Sequence, residues 1–498
     1  MSSASDVRSV VIAGGGVDGW TTAAALAHAY QGEGLDIRVL DLGTHEPFAA
    51  KPTAPISLAF HQRLGFDEAT LMREAGASFS LGTLYRDWVS EGHRYFQPMG
   101  PHGASIEFVH FHNFANKARK AGDETPFNDY SLNAVAAREG RFTHPSSDRS
   151  SILSTLIYAH HLDTGRYTRL MRQFAEGLGV RRLKGQIDTV ERDGDRGFIQ
   201  ALALADGSTL EADLFLDCSG REALLMRALD VGFEDWGGLL PADRLMTARG
   251  PAALAAPQVT VTGLERAWHQ AVPTQNGTGH ALVFRAEDMD DDEAAALLRE
   301  AAGETLDSEP LASGCASGHR EAFWQGNCVA LGGAAVTFPP LDSAHLSSLQ
   351  AGVMRLITLF PDRDCSPHLA DEYNEVTRAE FANVRDFLLL HFLGVQRESS
   401  FWTAHRTEPA PESLAYKIRL FREHGQVAFY EEESYPDTAW ASLWLGQDQW
   451  PKSYDPVLDK YDFERLQKRF SDMRDIIREA VAQMPLHEEY LRRFAATR

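Results

Sequence analysis

The sequence is poor in cysteine: its 498 residues include only four, which lie far apart and form no CxxC pair. A disulfide scaffold or a zinc knuckle needs more cysteines at closer spacing, so neither is indicated. A reducing compartment is therefore the simplest expected location for such a chain. The four residues are Cys218, Cys315, Cys328 and Cys365.

The chain also lacks a surplus of positive charge and any long apolar run. Its formal net charge is -22, and it has no Lys/Arg cluster of the kind that binds a nucleic-acid backbone. The first apolar run is too short for a signal peptide, and no window approaches the length of a membrane span. We therefore expect a cytoplasmic protein that has neither nucleic acid nor membrane as a partner.

A βα unit with a glycine-rich turn opens the sequence. A β-branched run at residues 7–13 leads into Gly14, Gly16 and Gly19, spaced as GxGxxG, and then into an Ala-rich helical pattern. In this motif the first glycine makes a tight turn, the second admits a pyrophosphate and the third permits helix packing. Asp41 ends the next strand-like run, where a carboxylate can hold a ribose hydroxyl. The alternative is that Asp41 is simply a solvated acid at the end of a strand.

Two later segments repeat the order of strand and then glycine. They are "ADLFLDCSG" at 212–220, which follows a hairpin turn at Asp206-Gly207, and "NCVALGGAA" at 327–335. Three such segments spread over more than 300 residues are more typical of the FAD-binding fold of flavin monooxygenases than of a compact NAD domain. FAD is therefore the predicted cofactor.

The fold class that we predict is α/β. A flavin-monooxygenase-like FAD-binding fold, with a Rossmann-type βαβ unit plus mixed sheets, is expected over residues 1–365, which would also hold the substrate pocket. From about residue 366 the pattern is mostly helical and amphipathic, which predicts a helical C-terminal lobe over 366–498, packed on the substrate side.

No metal site is predicted. The acidic stretch "AEDMDDDEAAALL" at 286–298 fits a helix N-terminus, where negative charge is favourable, better than a metal site. His110 and His112, in the run "VHFHNF", would share one face of a predicted strand, but no third ligand lies near them in sequence.

Four segments carry a resemblance to the flavin-dependent tryptophan halogenase family, and together they span almost the whole chain. They are "GGGVDGW" at 14–20, "FEDWGGLLPADR" at 233–244, the long segment 327–362, and "WASLWLGQDQWPKSYDPV" at 440–457. The resemblance implies that FAD, reduced by a separate flavin reductase, reacts with O2 and oxidises chloride or bromide to hypohalous acid. A lysine beside the substrate would then receive that acid.

The resemblance also implies the positions that line the flavin. The loop with Asp342 and Ser343 would lie between the flavin and the substrate pocket, with the acid in a catalytic role. Besides the glycine motif and Asp41, the implied cofactor-binding residues are Val17, Ile187, Gly332, Ser343, Ala344 and Leu346.

The expected catalytic lysine is missing from this sequence. The segment "MREAGASFSLGTLYRDW" places Ser80 at the lysine position, and a serine hydroxyl is neither cationic nor strongly nucleophilic at neutral pH. Lys51 is the nearest alternative, although it should lie on the flavin side. The resemblance implies that backbone amides after Asp342 and Ser343 hold the halide. In this halide loop, Ala344 and His345 replace the family's Thr-Gly, and Asp342 replaces a glutamate. His345 could move protons near the flavin.

The residues expected to line the substrate pocket depart from the family pattern as well. In the family, a tunnel that carries the motif Trp-x-Trp-x-Ile-Pro leads hypohalous acid to the substrate, and this chain has "WHQAVP" at 268–273. Trp268 and Pro273 match this tunnel motif, while Gln270 replaces its second tryptophan. Gln97 and Met99 stand where tryptophan-specific members have a histidine and an aromatic residue, although Met99 could simply pack in the core. Free tryptophan is therefore not the expected substrate.

Two functions remain open from the sequence. The first is an enzyme that uses reduced FAD and O2 to halogenate or oxygenate an electron-rich small molecule or peptide. A separate flavin reductase would serve it, and a homodimer is one expected assembly. The second is a catalytically degenerate protein that binds flavin or a partner.

Overall fold

The computed structural model describes residues 6–43, 50–303 and 305–496. The strands are β1 Ser9–Ala13, β2 Asp36–Asp41, β3 Ala50–Pro52, β4 Ser78–Ser80, β5 Gly82–Arg86, β6 Arg94–Pro98, β7 Ala159–Asp163, β8 Arg181–Lys184, β9 Ile187–Arg192, β10 Ile199–Leu204, β11 Thr209–Glu211, β12 Leu214–Asp217, β13 Phe233–Asp235, β14 Arg244–Gly250, β15 Val259–Gly263, β16 Ala267–Thr274, β17 Gly277–Phe284, β18 Leu311–Gly314, β19 Gly318–Arg320, β20 Trp324–Gln325, β21 Cys328–Ala330 and β22 Val336–Thr337. The α-helices are α1 Val17–Ala29, α2 Ile56–Arg63, α3 Glu68–Glu74, α4 Phe111–Lys120, α5 Leu132–Arg138, α6 Thr164–Gly177, α7 Leu224–Ala228, α8 Asp291–Ala302, α9 Ala344–Thr358, α10 Pro367–Leu393, α11 Ser400–Ala404, α12 Glu412–His424, α13 Asp437–Gly446, α14 Phe463–Gln483 and α15 His487–Ala496.

The chain divides into two compact units, each assembled from three segments. The first unit takes its described residues from 1–76, 162–237 and 313–382, and the second takes its own from 77–161, 238–312 and 383–498. The sequence predicts a domain boundary at residue 365, where a mixed region gives way to a helical one. This boundary stays a prediction, because the two compact units are not defined by helical content. The described elements after residue 343 are indeed all helical.

A largely parallel sheet forms the centre of the first unit, with the strand order β20-β21-β12-β1-β2-β8. Strand β1 is central and pairs in parallel with β12 on one side and β2 on the other. Because β1 is covered on both faces, it is a continuous apolar run rather than an alternating one. The strands predicted from the glycine motif and from the two later strand-then-glycine segments are confirmed.

Two further predictions from local sequence patterns, a hairpin and a helix start, are also confirmed. Strands β10 and β11 form the hairpin expected around Asp206-Gly207, with Ala203 opposite Thr209. The acidic stretch begins helix α8, where the side chain of Asp290 accepts a hydrogen bond from the Glu293 amide at 2.9 Å. This helix cap accounts for part of the acidic cluster.

The predicted strand around His110 and His112 is wrong, because this segment begins helix α4. The buried residues Phe111, Phe114 and Ala118 recur at helical spacing and pack in a hydrophobic cluster. The Nε2 atom of His112 lies 2.6 Å from the carbonyl oxygen of Gly425, and burial lowers the pKa of this histidine to about 4. Within the described ranges no group of three or more His, Cys, Asp or Glu side chains could hold a metal ion.

The second unit contains a mixed sheet in the order β14-β17-β16-β15-β5-β6. Its neighbouring strands are antiparallel except for β15 and β5, which are parallel. Trp88, Trp268 and Trp402 are fully buried beside this sheet, with ring centroids 5.0 Å apart for Trp88 and Trp402. Aromatic packing of this kind contributes to the core of the unit.

Two further features belong to the described part of the chain as a whole. Its four cysteines are all unbonded to one another and buried. None of its helices combines the length and the hydropathy that a bilayer crossing demands.

One ion pair is completely buried in the helical part of the second unit. Lys417 of α12 pairs with Glu433, and the ammonium also lies over the rings of Tyr430 and Trp440, 4.6 Å from each centroid. Burial raises the pKa of Glu433 even though Lys417 opposes this effect. Two desolvated charges of this kind depend on each other.

We predict that Lys417→Met lowers the free energy of unfolding by about 3 kcal/mol, because it leaves the buried Glu433 carboxyl without its counter-charge. The matched control is Arg419→Met on the same helix, since Arg419 pairs with Glu412 in solvent. Urea unfolding followed by tryptophan fluorescence measures both variants. Equal stability of the two variants would contradict the importance of the buried pair.

Candidate functional site

The glycine turn after β1 is built by close backbone contact. Gly14 has φ +128, and a Cβ atom on it would overlap the carbonyl group of Cys218. A Cβ atom on Gly19 would overlap the carbonyl oxygen of Gly14, so the turn and helix α1 pack tightly only with glycine at both positions. Gly16 precedes α1, and no side chain in the described structure caps this helix. The first amides of α1, beginning at Val17, can therefore bind an anion.

The three strand-then-glycine segments meet at one edge of the parallel sheet. The Cys218 amide donates to the Ala13 carbonyl, and the Leu331 amide donates to the Asp217 carbonyl, both at 2.9 Å. The carboxyl ends of β1, β12 and β21 therefore lie side by side, where doubly wound sheets bind their ligands. Gly332 follows directly after this edge.

Asp41 lies at the carboxyl end of β2, beside the same edge. Arg182 donates to its Oδ2 atom from Nε at 2.9 Å, and the Gly43 amide donates to its Oδ1 atom at 3.0 Å. Burial by itself raises the pKa of Asp41, but these hydrogen bonds and the charge of Arg182 outweigh it, so the pKa is lowered. Ile187 begins β9, next to Gln186, whose side chain donates to the Leu42 carbonyl.

Residues 342–346 form the start of helix α9. Ser343 is the residue before the helix, Ala344 is its first residue and Leu346 is buried. The Oδ1 atom of Asp342 accepts a hydrogen bond from the Ala344 amide at 2.7 Å, so this acid supports the beginning of the helix. Among the predicted catalytic residues, Asp342 and His345 belong to the first unit and Ser80 to the second.

An unpredicted acid joins this segment to the glycine motif. Asp18, in the first turn of α1, is buried, and its Oδ1 atom lies 3.0 Å from Nε2 of His345. Its Oδ2 atom accepts the Gly333 amide at 2.8 Å. The signal available in the sequence was an aspartate inside an otherwise apolar motif, "GGGVDGW". Lys51 lies in this unit too, where its charge lowers the pKa of Asp18.

The first unit fits FAD by shape and by chemistry. The glycine turn leaves room where any side chain would overlap backbone, and the start of α1 offers amides to a pyrophosphate. Asp41 offers a carboxylate beside that edge for a ribose hydroxyl. The assignment of these residues to the cofactor stays a prediction.

Ser80 ends strand β4 in the second unit and is fully buried. Its Oγ atom has no hydrogen-bond partner among the described residues, which is costly for a buried hydroxyl. Two residues earlier, Ser78 donates to the Pro273 carbonyl at 2.6 Å, and Nδ1 of His161 donates to the same oxygen at 3.0 Å. The structure thus brings Pro273 of the predicted tunnel motif to the strand that carries Ser80.

A backbone hydrogen bond and a strand pairing place Met99 and Gln97 close to the residues that follow Ser80. The Met99 amide donates to the Leu81 carbonyl at 3.0 Å, and Gln97 pairs with Thr83 across β5 and β6. The Oε1 atom of Gln97 is buried and accepts no hydrogen bond within the described parts of the chain. Met99 is half-buried.

Trp268 lies away from Ser80, Gln97 and Met99. It lies in β16 five residues before Pro273, which corresponds to about 17 Å along an extended strand. Its ring packs in the aromatic core, 5.8 Å from Trp88 and 5.6 Å from Phe392. The neighbouring position Gln270 lies in the same strand and is buried.

Two buried histidines near Ser78 were not identified from the sequence. His161 donates through Nδ1 to Pro273, and His487 donates through Nδ1 to the Leu254 carbonyl at 2.7 Å. Burial lowers the pKa of His161 to about 3 and that of His487 to about 4, so both imidazoles are neutral. Their Nε2 atoms find no partner in the residues that the structure describes, and each is therefore a buried acceptor.

Comparison with known proteins places the chain in a family. The tryptophan halogenase family model matches residues 9–462. Tryptophan 6-halogenase SttH from Streptomyces toxytricini is 26% identical over 511 residues, covering 97% of each chain. The solved structure of BrvH, a flavin-dependent halogenase from Brevundimonas sp. BAL3, is 35% identical with a TM-score of 0.94, covering 98% of this chain and 99% of its own. Xcc4156, a flavin-dependent halogenase from Xanthomonas campestris, is 33% identical with a TM-score of 0.94 over 99% of both chains.

These matches confirm the family resemblance, the α/β fold with mixed sheets and the helical C-terminal region. They also agree with the predicted cofactor, FAD that a separate flavin reductase supplies in reduced form. The chain therefore belongs to the tryptophan halogenase family and is a flavin-dependent, halogenase-like oxidoreductase.

Proposed function

We propose that this enzyme uses reduced FAD and O2 to halogenate or oxygenate an electron-rich aromatic small molecule or peptide other than free tryptophan. The observation that carries the proposal is Ser80, a buried serine at the position where the family resemblance expects a catalytic lysine. When bound, reduced FAD supplies the two electrons with which O2 is activated for halide oxidation or for oxygen transfer.

The first unit would hold the cofactor. Gly14 and Gly16 let the backbone approach the pyrophosphate, and the amides at the start of α1 supply positive partial charge. Asp41, held as a carboxylate by Arg182, keeps acceptor capacity for a ribose hydroxyl, because a carboxylate has about four lone-pair sites. Ser343, at the start of α9, would face the flavin ring, as the family resemblance implies.

The second unit would select the substrate. A lysine amine can hydrogen-bond hypohalous acid or become a haloamine, whereas a serine hydroxyl does neither at neutral pH. Gln97 and Met99 further replace the residues that tryptophan-specific members use. Free tryptophan therefore lacks both the relay group and the recognition surface, while an activated ring needs less assistance to react with an oxidant.

We predict that Gly16→Val weakens FAD binding by orders of magnitude, because its side chain would occupy the space that the pyrophosphate needs. Gly177→Ala, on α6 of the same unit, is the control, since an added Cβ atom there meets no described atom within 4 Å. Fluorescence titration with FAD measures both variants. If Gly16→Val binds FAD like the native protein, the cofactor placement is wrong.

Halogenation of free tryptophan should be undetectable in the native protein. The assay supplies a flavin reductase, FAD, O2 and chloride or bromide, with catalase to remove peroxide, and detects products by mass spectrometry. Tryptophan 6-halogenase SttH serves as the positive control, and activated indoles and phenols serve as alternative substrates. Several turnovers to a mono-halogenated tryptophan by the native protein would refute the proposed substrate range.

Ser80→Lys should gain halogenation of an activated indole or phenol. Burial lowers the pKa of a lysine and so leaves a neutral, nucleophilic amine, and the unit offers two buried acceptors, His161 Nε2 and Gln97 Oε1. Ser80→Met, which has a side chain of nearly the same length without an amine, is the control. Product yield per turnover of FAD is compared in the two variants.

The result of this rescue separates two explanations. If Ser80→Lys gives halogenated product and Ser80→Met does not, the absence of the relay amine explains why the native chain does not halogenate this substrate. A folded, FAD-loaded Ser80→Lys without product, even when combined with His345→Gly, would show that an amine does not recover halogenation. It would favour oxygenation or a binding role.

A further inference from the structure

A groove lies on the surface of the second unit, and no sequence motif indicated it. Its wider part is a cavity of about 490 Å³ between strand β6, helix α4 and helix α13. A second cavity of about 450 Å³ continues the groove to helix α14. The two cavities share the segment 122–125, so together they form one elongated groove. Its volume is in the range of sites that bind ligands much larger than one aromatic ring.

The wider part of the groove has aromatic walls. Trp450 and Phe127 are partly buried there and meet edge to face, with their ring centroids 5.9 Å apart. The Arg119 guanidinium lies over the Trp450 ring, 4.7 Å from its centroid, and this cation–π contact helps to hold the ring in place. Tyr95 and Leu445 are buried and complete the wall. A surface of this composition suits a flat aromatic ring.

One wall residue carries a hydroxyl group that the protein does not use. Ser442 of α13 is 3% exposed and lines the cavity, and its Oγ atom makes no hydrogen bond with any described residue. A serine inside a helix can bond to the carbonyl group four residues earlier, but this one does not. An unpaired buried hydroxyl is costly, so we expect this atom to pair with a polar group of a bound ligand.

The continuation of the groove is polar. It is lined by Thr125, Gln467 and Arg474 together with the acidic residues 123 and 124. Arg474 donates to the Tyr130 hydroxyl at 2.6 Å, and a guanidinium has five N–H groups, so donors remain for a ligand. Donors and acceptors side by side match a peptide backbone, which offers an N–H and a C=O at nearly every residue. An aromatic cavity that leads into a polar one therefore favours a peptide over a compact aromatic molecule.

Strand β6 connects the groove to the residues expected to line the substrate pocket. Tyr95, in the groove wall, and Gln97 are two residues apart in β6, so their side chains point to the same face of the sheet. Tyr95 pairs with Tyr85 of β5, and Ser80 precedes Tyr85 by five residues. Five extended residues span about 17 Å. The groove and residue 80 are therefore separated by about the length of a short peptide.

We propose that the groove binds a second aromatic side chain of a peptide substrate, about five residues away from the ring that reacts. The second side chain would pack beside Trp450, and its indole N–H or phenol O–H would donate to Ser442 Oγ. This inference rests on the proposed function, because it takes residue 80 as the position of the reacting ring. It narrows the substrate class to peptides with two aromatic residues.

Calorimetric titration of the FAD-saturated protein tests this inference with three probes. The two-ring probe is acetyl-Trp-Gly-Ser-Gly-Ser-Trp-amide, and in each single-ring probe alanine replaces one of its tryptophans. The native protein should bind the two-ring probe at least tenfold more tightly than either single-ring probe, because the linker holds the second ring at a high effective concentration. Equal affinity for the three probes, or binding of none of them, would overturn the inference.

Trp450→Ala and Glu124→Trp test whether the second ring binds in the groove. The first removes the stacking surface, and the second fills the groove from an exposed position that lines both cavities. Each should lower the affinity for the two-ring probe to that for a single-ring probe. Tyr416→Ala is the matched control, since Tyr416 is 47% exposed on α12 of the same unit. If both groove variants bind the two-ring probe as tightly as this control, the inference is wrong.

Ser442→Ala tests the hydroxyl separately from the shape of the wall. The variant should bind the two-ring probe about fivefold more weakly, because the indole N–H loses its acceptor. A probe with naphthylalanine in place of both tryptophans has no ring N–H and should bind the native protein and the variant equally. The same loss with both probes, or no loss with either, would overturn the role of Ser442.

Turnover separates this inference from the proposed function. With a flavin reductase, FAD, O2 and bromide, the two-ring probe should have a KM at least tenfold below those of the single-ring probes, and Trp450→Ala should raise that KM with little change in kcat. Product formation with the same KM for all probes would overturn the inference while the proposed function stands. Tight binding of the two-ring probe, without product from it or from activated indoles and phenols, would overturn the proposed function and leave a peptide-binding groove.

Discussion

The close backbone packing at the carboxyl edge of the parallel sheet is the constraint on which the rest of the first unit depends. β1 can turn into α1 only because Gly14 and Gly19 lack side chains, since a Cβ atom on either would overlap a carbonyl group. The same packing brings β12 and β21 alongside and leaves the start of α1 facing the edge. A pyrophosphate can approach the backbone there, and the next residues of the helix take fixed positions beside it.

Asp18 shows how the chain has used one of those positions. Its carboxylate occupies space that Gly332 leaves open and holds His345 at the start of α9. In the second unit a buried hydroxyl, that of Ser80, lies where the resemblance predicts a lysine amine. Under the proposed function, the enzyme therefore has an ionisable pair in the first unit and no relay amine at residue 80.

The fold was largely predictable because its signals are local. The glycine spacing, the apolar strands and the hairpin turn each depend on a few adjacent residues, and so does the cap at Asp290. The helix at Phe111 was misread as a strand because a short aromatic run fits both periodicities until its burial is known. The pairing of Asp18 with His345 and the hydrogen bond that His161 donates to Pro273 are contacts between residues far apart in sequence, which no local pattern encodes. Trp268 matched a motif, yet its place in the aromatic core could not be deduced from that match.

A crystal structure of the protein with FAD tests the central claim most directly, because the claim is that the glycine motif and the start of α9 form one flavin site. The account predicts density for the pyrophosphate at about 3 Å from the first amides of α1, with the isoalloxazine ring beside His345 and residues 342–344. A pyrophosphate bound elsewhere, or a ring remote from His345, would contradict it.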